Sequence, residues 1–178
     1  MKPPLNCVII VILFVNTGDF MEFKTNVMRL IEQKKLPYTP HSYADTEAVS
    51  GVDVASILGL DEKRVFKTLV TRGKTGGHYV FVIPVAEELD LKKAARAVGE
   101  KSVEMVKSKE LLPLTGYIHG GCSPIGMKKF FTTTLHETAR DCSTIYFSAG
   151  KIGWQVEMAP GDLEKMIRLR YADLVAAE

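Results

Sequence analysis

Lys67 is the residue of this chain whose setting most suggests chemistry, because it interrupts an apolar run, Val65-Phe66-Lys67-Thr68-Leu69-Val70-Thr71. Side chains alternate between the faces of a strand, so Val65, Lys67 and Leu69 share one side. Both faces of the run are largely apolar, which directs Lys67 to the interior or to the floor of a cleft. An ammonium withdrawn from water needs an anion or a set of acceptors. The run holds no acidic residue, so that partner comes from elsewhere in the fold or from a ligand. The alternative is a lysine that snorkels past the strand edge and keeps its charge in water.

A second candidate is the loop Gly120-Gly121-Cys122-Ser123-Pro124-Ile125-Gly126, with three glycines and a proline in seven residues. It lacks both the Gly-Lys-Ser/Thr ending of a phosphate-binding loop and the spacing of a dinucleotide fingerprint. Glycines here either let backbone N–H groups approach an anion or polarised carbonyl, or serve only the dihedrals of a tight turn. Cys122 has no histidine placed by sequence to activate it, and a small buried cysteine is the commoner outcome. Ser123 precedes Pro124 and lacks the Gly-x-Ser-x-Gly setting of a hydrolase elbow. Tyr43, Thr68, Ser148 and Gln155 are suited either to lining a cleft or to satisfying backbone groups at strand ends. The histidines, His41, His78, His119 and His136, show no i,i+4 pairing and no cysteine neighbours at zinc spacing, so no metal is expected.

The elements that must position these residues are legible in outline. The stripe Val27, Leu30, Ile31 predicts a helix from about Thr25 to Lys35, which Pro37 ends. Tyr38 to Tyr43 reads as extended. Ser50 with Asp53 marks a helix start, and Gly59 its stop. The lysine strand closes at Arg72-Gly73-Lys74-Thr75-Gly76-Gly77, a loop suited to a hairpin with His78–Pro84. Leu91 to Val98 predicts a helix stopped by Gly99, Val103 to Val106 a short strand, and Lys109 to Leu112 a helical turn. Strands follow at Phe130–His136, Thr144–Ser148 and Trp154–Met158. Pro160-Gly161-Asp162 opens a last helix with Leu163, Met166, Ile167 and Leu169 inward.

At 178 residues the chain is long enough for one domain with a full core. A formal charge of +2 is too small for a general nucleic-acid coat but allows a local basic face, for example Lys92, Lys93 and Arg96, Lys107 with Lys109, or Lys128 with Lys129. Three widely spaced cysteines argue against a disulfide framework and suit a reducing compartment, so a cytoplasmic location is expected. Val8 to Val15 is uniformly apolar but too short to span a bilayer as a helix, and no Ala-x-Ala-like cleavage site follows it. Residues 1–20 are therefore expected to be an extension upstream of a natural start at Met21, with residues 21–178 forming a single domain.

Several separate blocks, in order, resemble the YbaK/EbsC family of aminoacyl-tRNA deacylases, related to the editing domain inserted in bacterial prolyl-tRNA synthetases. They are Val65-Phe66-Lys67-Thr68-Leu69, Pro84-Val85-Ala86 with Leu89-Asp90-Leu91-Lys92-Lys93, Lys101 to Met105, Thr115-Gly116-Tyr117 through Gly126-Met127-Lys128-Lys129, and Thr144 to Lys151. The resemblance runs from about Thr25 to Ala176. It implies an α/β fold with a mixed, partly antiparallel, barrel-like sheet flanked by helices. The implied activity is hydrolysis of the ester joining a wrong amino acid to the 3′-terminal adenosine of a tRNA, cysteine on proline tRNA for this branch. It also implies a tRNA acceptor end as partner, with prolyl-tRNA synthetase as a second one, and neither a cofactor nor a membrane.

Lys67 matches the lysine of the family's strand motif, whose implied role is to hold the phosphate and terminal adenosine. Gly120, Gly121 and Gly126 match the glycine-proline loop, with Gly121 expected among the catalytic positions and Ser123 within the substrate pocket. Tyr43, Thr68 and Ser148 match polar pocket positions. One departure stands out: Gln155 occupies a place where the enterobacterial form carries an aspartate, two positions before the glutamate matching Glu157. Glutamine can hydrogen-bond there but brings no charge. No catalytic triad is needed if a cysteinyl ester supplies its own thiol as nucleophile, the protein holding it in reactive geometry. An ordered water would instead suit an alanyl or seryl ester, and a non-catalytic tRNA- or synthetase-binding module is the third alternative.

Overall fold

A computed structural model describes residues 23–48 and 50–176. The expectation for residues 1–20 lies outside them. The first helix, α1 (Asn26–Gln33), begins where the Thr25 side chain accepts from the Met28 N–H, and it buries Val27, Met28 and Ile31. After β1 (Thr39–Ser42), Ser50 and Asp53 form a reciprocal capping box that starts α2 (Gly51–Ile57). A short 3-10 turn, Glu62–Arg64, leads into β2 (Phe66–Gly73), which pairs antiparallel with β3 (His78–Pro84). Then come α3 (Leu91–Val98), ended by Gly99 at φ 75°, β4 (Val103–Met105) and α4 (Ser108–Thr115). The chain finishes with β5 (Thr132–His136), β6 (Ile145–Ser148), β7 (Trp154–Met158), α5 (Pro160–Met166) and β8 (Leu169–Ala172).

The strands form a five-stranded sheet of order β4-β2-β3-β5-β8 and a three-stranded sheet of order β1-β7-β6. In the larger sheet β2 is antiparallel to β3 and β4, whereas β5 runs parallel to both β3 and β8. The smaller sheet is antiparallel throughout. An isolated parallel bridge, Val65 to Tyr146, joins the two. This is the mixed α/β architecture that the strand and helix order implies.

Alternation along β2 sorts its residues between two interiors. Phe66 and Val70, with Val80, Val82 and Leu135, face the main core, into which α1 and the Ile145, Phe147, Val156 and Met158 side chains also pack. Leu69, Phe81 and Ile83 face the other way, against Ala94 and Ala95 of α3. A third small cluster unites Ala55 of α2 with Val65, Val85 and Tyr146 at the join between the sheets.

Two elements differ from the sequence expectation. The turn expected at Lys109–Leu112 is a helix of eight residues that runs through Pro113 to a left-handed cap at Gly116, φ 86°. Leu169, expected on the last helix, instead opens β8, because Ile167 turns extended and the segment pairs in parallel with β5.

Candidate functional site

The join between the sheets positions the candidate residues. Val65 and Tyr146 are bridged in parallel, and two residues further along each strand stand Lys67 and Ser148, on the same face. Ser148 is paired with Gln155, and Gln155 with His41. That row continues to Tyr43, which is buried and whose N–H donates to Gly153 O at 2.8 Å. Lys67, Ser148, Gln155 and Tyr43 therefore share one face although they come from four segments.

Lys67 is half-buried, and its Nζ donates to Val85 O at 3.0 Å. Burial lowers its pKa below the ordinary lysine value, with Glu88 and Glu87 pulling the other way. No carboxylate among the described residues stands within ion-pair distance of it. An ammonium has three donors and one is engaged here, so it is poised for an acceptor from outside the protein. Gln155 is 5% exposed and its Oε1 has no partner among the described residues. A buried, unsatisfied amide oxygen is uncommon in a folded protein. The Ser148 hydroxyl accepts from Gly150 N–H at 3.2 Å and so helps shape the β6–β7 turn.

Beside this row lies a polar cluster that sequence reasoning missed. Glu157 accepts from Thr144 Oγ1 at 2.5 Å and pairs with His41 Nε2 at 3.1 Å and Arg64 Nη2 at 3.2 Å. The Arg64 guanidinium also sits 5.1 Å from the centre of the Tyr146 ring. Burial pushes the Glu157 carboxyl up, but hydrogen bonds from Thr144, His41 and Tyr146 outweigh it and hold the group below the usual carboxylate range. Glu157 is therefore satisfied by the protein, whereas Gln155, two residues earlier on the same strand face, is not. The strand period makes Gln155 and Glu157 neighbours on one face, but nothing in the sequence announced the long-range partners Arg64 and His41.

The glycine loop packs on the β6–β7 turn. A Cβ on Gly121 would stand 3.3 Å from Ile152 N, so an alanine there would press directly on backbone. The Gly121 N–H itself donates to Ile118 O at 3.1 Å. By contrast, the N–H groups of Cys122 and Ser123 have no acceptor among the described residues. Ser123 is fully buried, and its hydroxyl accepts from Ile125 N–H at 3.3 Å within the loop. Gly126 adopts φ +77°, and a Cβ there would lie 2.9 Å from Tyr117 Oη. That hydroxyl donates to Ile125 O at 2.6 Å, which pins the loop to the core.

Cys122 sits in the main core, and burial pushes its thiol pKa up to about 12, far from a usable thiolate at neutral pH. A Cys122→Ala protein is accordingly expected to keep wild-type catalytic rates, since alanine also retains the backbone N–H. Steady-state kinetics of the purified variant would check this, and complete loss of turnover would reopen Cys122 as a nucleophile.

Thr68 does not join the row. Alternation along β2 turns it to the face opposite Lys67, where its Oγ1 is buried without a partner among the described residues. Two clefts, of about 290 and 390 Å³, flank the 3-10 turn. The first is lined by Asp61, Pro84, Ala86 and Glu87, next to the carbonyl that holds Lys67, and the second by Arg64, Asp141 and Cys142 among others.

Comparison with known proteins places these residues in a family context. The aminoacyl-tRNA editing domain matches residues 46–166. A protein of Enterococcus faecalis assigned as Cys-tRNA(Pro)/Cys-tRNA(Cys) deacylase EbsC is 49% identical over 156 residues, covering 87% of this chain and 95% of that one. The proline–tRNA ligase of Pelobacter propionicus is 30% identical over 97 residues, 54% of this chain but only 16% of the ligase. A solved structure described as a trans-editing enzyme for prolyl-tRNA synthetase superposes with a TM-score of 0.73 at 23% identity, over 87% of this chain and all of that one.

Proposed function

The chain belongs to the aminoacyl-tRNA editing domain family, and we propose that it acts in trans as a deacylase of mischarged tRNA, with cysteine on proline tRNA as its preferred substrate. The observation that carries this reading is Lys67: a half-buried ammonium on the same face as an unsatisfied Gln155, with no carboxylate within ion-pair distance among the described residues. The phosphate and terminal adenosine of a tRNA 3′ end would supply the missing acceptors. The aminoacyl group would then lie over Ser148, Gln155 and Tyr43.

The ester carbonyl would face the glycine loop, where the unengaged N–H groups of Cys122 and Ser123 are the available donors for a developing oxyanion. Gly121 would contribute by having no side chain, leaving room for the reacting group above Ile152. With a cysteinyl ester, the substrate sulfur attacks its own carbonyl carbon and a C–S bond forms. The C–O bond to the ribose breaks, and the thiol proton ends on the 3′ oxygen. The products are a cyclic thioester and tRNA with a free 3′ hydroxyl. The protein's part is positioning and electrostatics, so this route calls for no protein nucleophile.

A specific observation supports a second reading. Gln155 is neutral, so it can accept from an α-ammonium without the added attraction of a carboxylate, and a related pocket could take alanine or serine by attack of an ordered water. Incubating the purified protein with cysteinyl-, alanyl- and seryl-tRNAs separates the two. Release of cysteine alone is expected. Preferential release of alanine or serine would overturn thiol assistance, and no release from any of them would leave a binding module.

A further inference from the structure

Four residues beyond Pro124, the chain presents Lys128, Lys129 and Phe130 to solvent, and Phe130 is fully exposed. The neighbouring residue behaves differently. Phe131 is packed against the main core, with its ring edge-on to His78 at 6.3 Å between centroids. The outward segment is held on both sides, because Lys128 N–H donates to Thr115 O at 2.9 Å and its side chain passes over Gly116. Phe130 thus stands on a pinned backbone with no ring or hydrogen-bond partner among the described residues.

The surrounding charge is one-sided. Neither Lys128 nor Lys129 has an ion-pair partner among the described residues, and Glu110 of α4 is taken by Arg72 at 3.2 Å. Exposed apolar side chains, Ile118 and Ile152, border the glycine loop at the other end of the segment. An exposed aromatic ring directly after two lysines without ion-pair partners among the described residues is poorly suited to the centre of a protein interface, where lysine is depleted. It suits single-stranded nucleic acid, whose bases stack on aromatic faces while lysines follow the phosphates.

We propose that Lys128, Lys129 and Phe130 form a platform for the single-stranded 3′ end of tRNA, Phe130 stacking with a base upstream of the terminal adenosine and the two lysines neutralising phosphates. The platform rests on the tRNA reading given above and extends it to nucleotides outside the ester pocket. In sequence it follows the glycine loop, Lys128 standing two residues after Gly126.

Fluorescence anisotropy with the full chain tests this, using a short oligoribonucleotide ending in CCA and an uncharged tRNA. Phe130→Ala is expected to weaken both by roughly tenfold, the usual consequence of deleting one stacking ring. Phe130→Trp should bind at least as well as wild type and show altered indole emission on binding. Changing Lys128 and Lys129 together to glutamine should flatten the slope of log affinity against log salt by about 1.4, at about 0.7 per phosphate contact on a single strand.

A folded Phe130→Ala protein, checked by circular dichroism, that binds both RNAs as wild type does would overturn the platform. So would a variant whose only change is loss of a dimer in sedimentation, which would make the ring a self-association contact. If Phe130→Ala binds normally while Lys67→Ala still abolishes deacylation, the platform alone falls. A protein that binds CCA-ended RNA through Phe130 yet releases no amino acid from any aminoacyl-tRNA would support the platform and remove the enzymatic reading.

Discussion

Deacylation by a Lys67→Ala protein is expected to fall by roughly a hundredfold or more, the scale on which misplacing a substrate by about an ångström affects turnover. Among the described residues Lys67 has one acceptor, the Val85 carbonyl at 3.0 Å, and on the proposed reading its remaining donors serve the substrate. The fold should not suffer. Burial already acts against the charged form of Lys67, and removing a partly desolvated ammonium relieves that opposition. Lys67→Met, which keeps the hydrophobic stem, is therefore expected to unfold at the wild-type temperature or above it while remaining as inactive as the alanine variant. Single-turnover assays with cysteinyl-tRNA and a thermal melt check the two halves separately. Wild-type turnover in Lys67→Ala would take the lysine out of the mechanism, and a fall in melting temperature would show that the side chain serves the fold.

Gly150→Ala is expected to be strongly destabilising for so small a change. Gly150 adopts φ +82°, and a Cβ there would stand 2.8 Å from Tyr117 Cε1 and 2.9 Å from Val27 Cγ2. A left-handed backbone costs a non-glycine residue roughly 1–2 kcal/mol. Overpacking a dense core adds about 1–3 kcal/mol. Neither neighbour can retreat cheaply, since Val27 is fully buried on α1 and Tyr117 is buried with its hydroxyl on Ile125 O. Urea unfolding should show a loss of about 2–5 kcal/mol at unchanged m. Displacing Tyr117 would also disturb the glycine loop, so activity per folded molecule should drop as well. An unchanged midpoint would show that the β6–β7 turn yields more readily than its contacts suggest.

Local signals in the sequence carried much of this fold. Alternation around Lys67, the Ser50–Asp53 cap and the glycine after α3 each depend on residues close together in the chain, and β2, α2 and α3 lie where those signals place them. The helical turn expected at Lys109–Leu112 is part of a longer helix, α4, which runs through Pro113 to Gly116. Leu169 fits a helical stripe, but β5 offers it a parallel sheet edge, which no local pattern reveals.

The site divides along the same line. Which residues are polar and where glycine is needed were readable. Thr68 was expected among the pocket residues, and strand alternation in the structure puts it on the face opposite Lys67. The clamp of Arg64 and His41 on Glu157 spans 93 and 116 residues of sequence, and only the folded chain brings it together.

The single bridge between Val65 and Tyr146 has a consequence for how this pocket is tuned. Lys67 belongs to one hydrogen-bonded ladder, while Ser148 and Gln155 belong to another. Beyond that bridge, the gap separating Lys67 from Ser148 and Gln155 is set by a seam of apolar packing, Ala55 and Val85 included. A methyl group gained or lost along that seam would widen or narrow the chamber without rebuilding either ladder. Amino-acid preference can drift through residues that never touch the substrate.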